Sequence, residues 1–192
     1  MTHGIKTKAT ILLALFIQLA FASGAQGKYH TKDDLQIVVS GTSTMHAWDM
    51  KTSKGESEAT VTLNAEGRLS GLTALSFTVP AESLKSEHKS MDKNAYKALR
   101  TGEHTTISYT LSAATIKPDG AIRCQGKLSI AGTTLDTDLM ATGQVNADKS
   151  ISVKGSKKIS MAAFNMIPPS FMLGTVKTGN DVTVQFNLTL RK

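Results

Sequence analysis

From Leu35 to the end of the chain, apolar side chains recur at every second residue, and that period limits the fold more than any other feature. Leu35, Ile37 and Val39 share it, as do His46, Trp48 and Met50, then Ala59, Val61 and Leu63, then Leu75, Phe77 and Val79. It resumes at Ile107, Tyr109 and Leu111, runs from Ile122 to Ile130, from Leu135 to Leu139 and through Ile151 and Val153, and closes on Val182, Val184, Phe186, Leu188 and Leu190. A period of two puts successive side chains on opposite faces of a strand, so each run offers one face to a core and one to water. Asn64-Ala65-Glu66-Gly67, Pro118-Asp119-Gly120, Asn146-Ala147-Asp148 and Thr178-Gly179-Asn180 separate the runs, and residues of these types make hairpin turns. Short connections make neighbouring strands antiparallel, and no βαβ spacing occurs. The expectation is an all-β chain of eight or nine strands, a sandwich or an up-and-down barrel.

One segment departs from this period. Between Leu84 and Arg100, Leu84, Met91, Ala95 and Leu99 follow a three-to-four spacing with Tyr96 beside them, which predicts a short inserted amphipathic helix. Ser90 is the expected N-cap, Asp92 falls in the first turn, and Gly102 is the stop signal. Lys85, Lys89, Lys93 and Lys97 recur every four residues, with Arg100 beyond. Such a stripe is either a solvated face or a place for an anionic head group at the barrel mouth, with Lys89, Lys93 and Lys97 nearest it.

His3, Lys6 and Lys8 precede an uncharged apolar stretch from Ala9 to Ala22, and Ala20-Phe21-Ala22 and Ser23-Gly24-Ala25 offer small-residue cleavage sites. That order predicts a cleaved signal peptide over residues 1–25, a single domain over 26–192 and a periplasmic destination. Removing Lys6 and Lys8 lowers the net charge from +7 to +5, since no Asp or Glu precedes Asp33. A basic balance without arginine-rich runs favours anionic surfaces and gives no reason to expect nucleic acid. Cys124 is the sole cysteine, so no intramolecular disulfide forms and packing alone holds the domain together. Its place in an alternating run makes it a buried hydrophobe.

Catalytic chemistry is sparse. His30, His46, His88 and His104 stand apart from one another at no metal-ligand spacing, and a single cysteine completes no zinc set. His46 near Ser43 lacks a third triad member, and there is no phosphate-binding glycine motif. The reading is therefore no enzyme, no metal and no cofactor. Apolar adaptability is richer: Met45, Met50, Met91, Met140, Met161, Met166 and Met172 carry flexible thioethers that suit a variable apolar partner. The segment Met161–Leu173, bent by Pro168-Pro169, reads either as a plug of the barrel end or as a lid over a ligand.

Four stretches together carry a resemblance to a known family: Ser40-Gly41-Thr42-Ser43-Thr44-Met45-His46-Ala47-Trp48, Met91-Asp92-Lys93-Asn94-Ala95-Tyr96-Lys97-Ala98-Leu99, Ile167-Pro168-Pro169-Ser170-Phe171-Met172-Leu173-Gly174, and Val182-Thr183-Val184-Gln185-Phe186. In order and spacing they resemble the YceI-like family over nearly the whole span from Leu35 to Leu190. The resemblance implies an extracytoplasmic, lipocalin-like, eight-stranded antiparallel up-and-down barrel holding a long isoprenoid or other lipid tail. It supplies no catalytic residues. From alternation and apolarity, the ligand-facing set is expected to be Trp48, Met50, Phe77, Ile107, Tyr109 and Phe186 on the strands. Tyr96 and Leu99 on the helix, with Phe164, Met166, Phe171 and Met172, are expected to close one end. Two alternatives stand beside a lipid carrier: a ligandless structural barrel filled by its own side chains, and an integral outer-membrane barrel, which the low aromatic content of 5% disfavours.

Overall fold

The structure, a computed structural model, describes residues 25–192. The expected signal peptide, but for Ala25, lies outside the described residues, as does the side chain of Met172. The strands are β1 (Ala25–Lys32), β2 (Leu35–Ser43), β3 (Ala47–Thr52), β4 (Glu56–Leu63), β5 (Leu69–Pro80), β6 (Thr106–Ile116), β7 (Ala121–Ile130), β8 (Thr133–Val145), β9 (Ile151–Ser160), β10 (Ser170–Phe171) and β11 (Val176–Leu190). One helix, α1 (Lys89–Leu99), lies between β5 and β6. All pairings among the described residues are antiparallel, in the order β1-β4-β5-β6-β7-β8-β9-β11-β2-β3, with the short β10 attached to β11.

Among the described residues the chain forms the expected all-β, antiparallel architecture with one α-helix, but the sheet has ten strands in this order rather than eight. Nine of the ten coincide with the alternating runs, and the tenth, β1, carries few large apolar side chains. Tyr29 and Thr31 are its buried residues, too few for an alternation signal. The sheet also curls without closing by a continuous ladder. β1 and β3 are its two edges, and isolated two-bond bridges tie each of them elsewhere, His30 of β1 to Arg191 after β11 and Lys51 of β3 to Lys85 ahead of α1.

Hairpins at Gly67 and Gly120, both at positive φ (73° and 85°), join successive strands where the turn residues predicted them. Thr178-Gly179-Asn180 is different. It lies inside β11, where pairing with β2 slips between Thr178 and Val182, so this glycine marks a bulge instead of a turn. Helix α1 begins after His88 rather than Ser90, and its C-cap is Arg100 in the left-handed region (φ 54°) rather than Gly102. The Arg100 guanidinium donates to the carbonyl of Ala131 in the β7–β8 turn, which gives this residue a tertiary reason to end the helix.

Inward residues form two apolar clusters, one around Tyr109, Leu128, Ile159 and Met161, the other around Tyr29, Ile37, Val61 and Ile151. The outer face is polar: Arg123 pairs with Asp138 (2.6 Å), Lys127 with Asp136 (3.0 Å), and Lys158 with Asp181 (2.7 Å) across neighbouring strands. Such exposed pairs add little stability but make the outer surface hydrophilic.

Candidate functional site

Between the two clusters the curled sheet leaves a cavity of about 470 Å³, a size ordinary for small-molecule sites. Its wall is almost wholly aliphatic and aromatic, drawn from the inward positions of β2 to β9 and β11 and from one face of α1. Trp48, Met50, Phe77, Ile107, Tyr109 and Phe186 all reach this wall from their strands. Leu99 joins them from the helix, and Met166 and Phe171 from the segment after β9.

Two of the expected residues stand elsewhere. Tyr96 points away from the cavity. Its hydroxyl shares its proton between the carbonyls of Glu82 (2.8 Å) and Leu84 (2.9 Å) and accepts from the Lys85 ammonium, which also lies 4.9 Å from the ring centre. Phe164 is buried in the core with Met161 and Val182 and does not touch the cavity. The segment after β9 thus splits its work, with Phe164 packing the end while Met161, Met166, Pro169 and Phe171 face the cavity.

What keeps the bore open is a set of glycines that alternation does not reveal. Gly41 is directly opposite Trp48, and a Cβ added there would overlap the indole, whose N–H donates to the Thr42 carbonyl (3.1 Å). Gly155 stands opposite Phe186 in the same way, and a Cβ on Gly126 would meet the Tyr109 ring. Each aromatic ring therefore lies down on a glycine of the neighbouring strand, the arrangement by which aromatics cover strand glycines. With their rings against the wall, these bulky side chains do not fill the centre.

Polar groups are few and placed at particular points. Tyr109, buried and donating to the Thr137 carbonyl (3.4 Å), has its phenol pushed up to about 12, by burial first and then by Cys124 and Asp138. Burial likewise pushes the Cys124 thiol up to about 11, which makes it an unreactive part of the wall. Lys157, in phase with Ile151, Val153 and Ile159 on β9, carries the formal charge of the lining. Its ammonium donates to the Asp138 carbonyl (2.8 Å), left free where the β8–β9 ladder ends at Met140 and Ser156. At the mouth stand His46, His88, Ser90 and Asn94. The Lys89, Lys93 and Lys97 side chains are exposed on the other side of α1 and do not line the cavity.

The start of the helix is fastened to the segment that leads into it by a buried carboxylate. Asp92 accepts from the Ser86 backbone N–H and hydroxyl, 2.7 Å each. Burial pushes its carboxyl up, but the two Ser86 bonds and nearby Lys85 outweigh that and hold it below the ordinary value. A lowered carboxyl stabilises the fold above its unfolded pKa and loses that contribution as pH falls through the folded one. Thermal melts should therefore fall more steeply below about pH 4 for the native protein than for Asp92→Asn, which has no such proton to bind. Parallel curves would remove Asp92 from the fastening.

A curled antiparallel sheet around an apolar bore, with a helix beside its mouth, defines a barrel that encloses a cavity. A sequence model of the YceI-like domain matches residues 30–190, and the chain belongs to that family. Among solved structures, BcnA of Burkholderia cenocepacia is similar at 15% identity and a TM-score of 0.65, over 81% of this chain and 95% of its own. A polyisoprenoid-binding domain from Saccharophagus degradans implicated in plant cell wall breakdown is similar at 10% identity and a TM-score of 0.64, over 87% and 99%. The Campylobacter jejuni YceI protein is similar at 16% identity and a TM-score of 0.55, over 71% and 81%. At these identities the likeness is one of fold. A sequence search of curated proteins found no match.

Proposed function

We propose that this protein is an extracytoplasmic carrier that holds the tail of a long-chain, polyisoprenoid-like lipid in its barrel. The observation that carries the reading is the apolar cavity of about 470 Å³ kept open by aromatic rings laid on glycines. The bore is open at its mouth, so without a ligand its apolar lining faces water, and an apolar tail that enters removes both surfaces from water. A fold that maintains such a space is suited to an apolar occupant. Each methylene moved from water into it contributes about 0.8 kcal/mol. Membership of the YceI-like family and the polyisoprenoid-binding neighbour point to the same ligand class. A periplasmic location rests on the export pattern of residues 1–25. A transmembrane barrel needs an apolar outer band, whereas here the outer face is charged and the inner face apolar.

The head group of such a ligand would meet His46, His88, Ser90 and Asn94 at the mouth, with the Lys89, Lys93 and Lys97 stripe supplying longer-range attraction if it is anionic. Trp48, the sole tryptophan, lines the cavity and reports occupancy by fluorescence. Titration with a long-chain isoprenoid should change its emission and saturate. Native mass spectrometry of protein from its host should show a bound lipid of defined mass. A silent titration together with a ligand-free mass would leave the ligandless barrel as the reading.

A further inference from the structure

We propose that the rim of the barrel docks on the surface of an anionic bilayer. Met45 (71% exposed), Ile167 (84%) and the fully exposed Leu173 are large apolar side chains left in water. Scattered singly they would need no explanation, but they occupy three adjoining segments at one end of the barrel. The Thr44 N–H donates to the Lys177 carbonyl (3.0 Å), and the Thr178 N–H donates to the Pro169 carbonyl (3.0 Å). Ser170 pairs with Lys177. These bonds join the β2–β3 turn, the loop before β10 and the β10–β11 turn, and Met45, Pro169 and Phe171 from these segments line the cavity.

Leu173 adds an independent sign. It lies in the left-handed region (φ 56°), where a bulky residue is strained and where Gly or Asn would fold more easily. Full exposure gives it no packing within the fold in return.

Charge selects the partner. No Asp or Glu occurs between Asp148 and Asp181, or between Asp34 and Asp49, while Lys177 flanks the tips and Lys89, Lys93 and Lys97 stand exposed on α1. Among acidic neighbours of that helix, Asp92 is engaged by Ser86 and the Glu82 carboxylate by the Thr101 hydroxyl, which leaves Glu87 and Glu103 against the lysines. Apolar tips flanked by lysines match an interface of acyl chains below anionic head groups, where each lysine strengthens binding about fivefold. Docking in this way turns the mouth toward the membrane that would supply or receive the tail. The proposal rests on the carrier reading for its purpose, not for its geometry.

The test is sedimentation with vesicles of phosphatidylglycerol and phosphatidylcholine against phosphatidylcholine alone. The native protein should bind the anionic vesicles, and binding should weaken as salt is raised. Ile167→Asp with Leu173→Asp should reduce binding at least tenfold, and Asp suits the left-handed position. Lys89→Gln, Lys93→Gln and Lys97→Gln together should weaken binding and flatten its salt dependence. None of these side chains lines the cavity, so isoprenoid titration of Trp48 without vesicles should be unchanged. Vesicle binding indifferent to both sets of substitutions would overturn the proposal. So would an apolar rim that drives self-association, seen as a dimer abolished by the paired Asp substitutions without any vesicle binding by the native protein. Vesicle binding that behaves as expected while isoprenoid titration stays silent would retain the docking surface and remove the carrier reading alone.

Discussion

Replacing Gly41 with valine is expected to weaken binding of a long-chain isoprenoid at least tenfold while the barrel remains folded. The backbone at Gly41 is ordinary extended strand, and valine is the better strand former, so local propensity does not oppose the change. The three atoms nearest an added Cβ all belong to the Trp48 indole, so that ring is the first group the new side chain meets. The ring must then leave the wall, and the space open to it is the bore. Displacing contacts with about two methylenes removes roughly 1.6 kcal/mol, and an indole lying across the bore displaces more. Adding Trp48→Ala to Gly41→Val removes the obstruction and should restore much of the affinity, measured by calorimetry because the fluorescent reporter is gone. Gly41→Val with undiminished affinity would show that Trp48 does not hold the space open for the ligand. Failure of the second change to rescue would trace the loss to damage elsewhere.

The inward face of the strands was legible because burial imposes it residue by residue. Trp48, Phe77, Ile107, Tyr109 and Phe186 stand in phase with their neighbours, and all of them reach the cavity. The helix was harder. Met91, Asn94, Ala95, Ala98 and Leu99 follow the helical period and face inward, whereas Tyr96 lies about 140° round from Met91 at 100° per residue. Its hydroxyl found three polar partners on the outside, a tertiary choice that spacing does not encode. Gly41, Gly126 and Gly155 were invisible for the opposite reason, because a residue without a side chain contributes nothing to alternation. Lys157 did carry a signal, its phase with Ile151 and Ile159, but that signal named a charge on an apolar face. The carbonyl of Asp138 that accommodates it appears only once β8 and β9 separate. The strand β1 was lost because Tyr29 and Thr31 alone mark its buried side, and its one ladder is a long-range pairing with β4 that local sequence does not encode.

Ile107→Gln separates a carrier from a scaffold filled by its own side chains. Ile107 pairs with Val79 at the end of β5, lines the cavity and packs on the cluster around Tyr109. The substitution keeps similar length and strand position but puts an amide where a tail would lie. In the unliganded protein that amide faces the open bore, which water reaches through the mouth, so it keeps hydration. When a tail enters, the water leaves and the amide meets hydrocarbon. An unpaired polar group in that setting costs about 1–3 kcal/mol, so affinity should fall roughly fivefold to a hundredfold. Melting of the ligand-free protein should change less than the affinity does. A scaffold without a ligand reverses this order, since the amide is then trapped among packed side chains and the cost falls on folding. Paired measurements therefore decide it: the isoprenoid affinity by Trp48 titration and the unfolding midpoint of the same two proteins without lipid. A large drop in midpoint with no binding by the native protein would remove the carrier reading and leave the curled barrel as a scaffold.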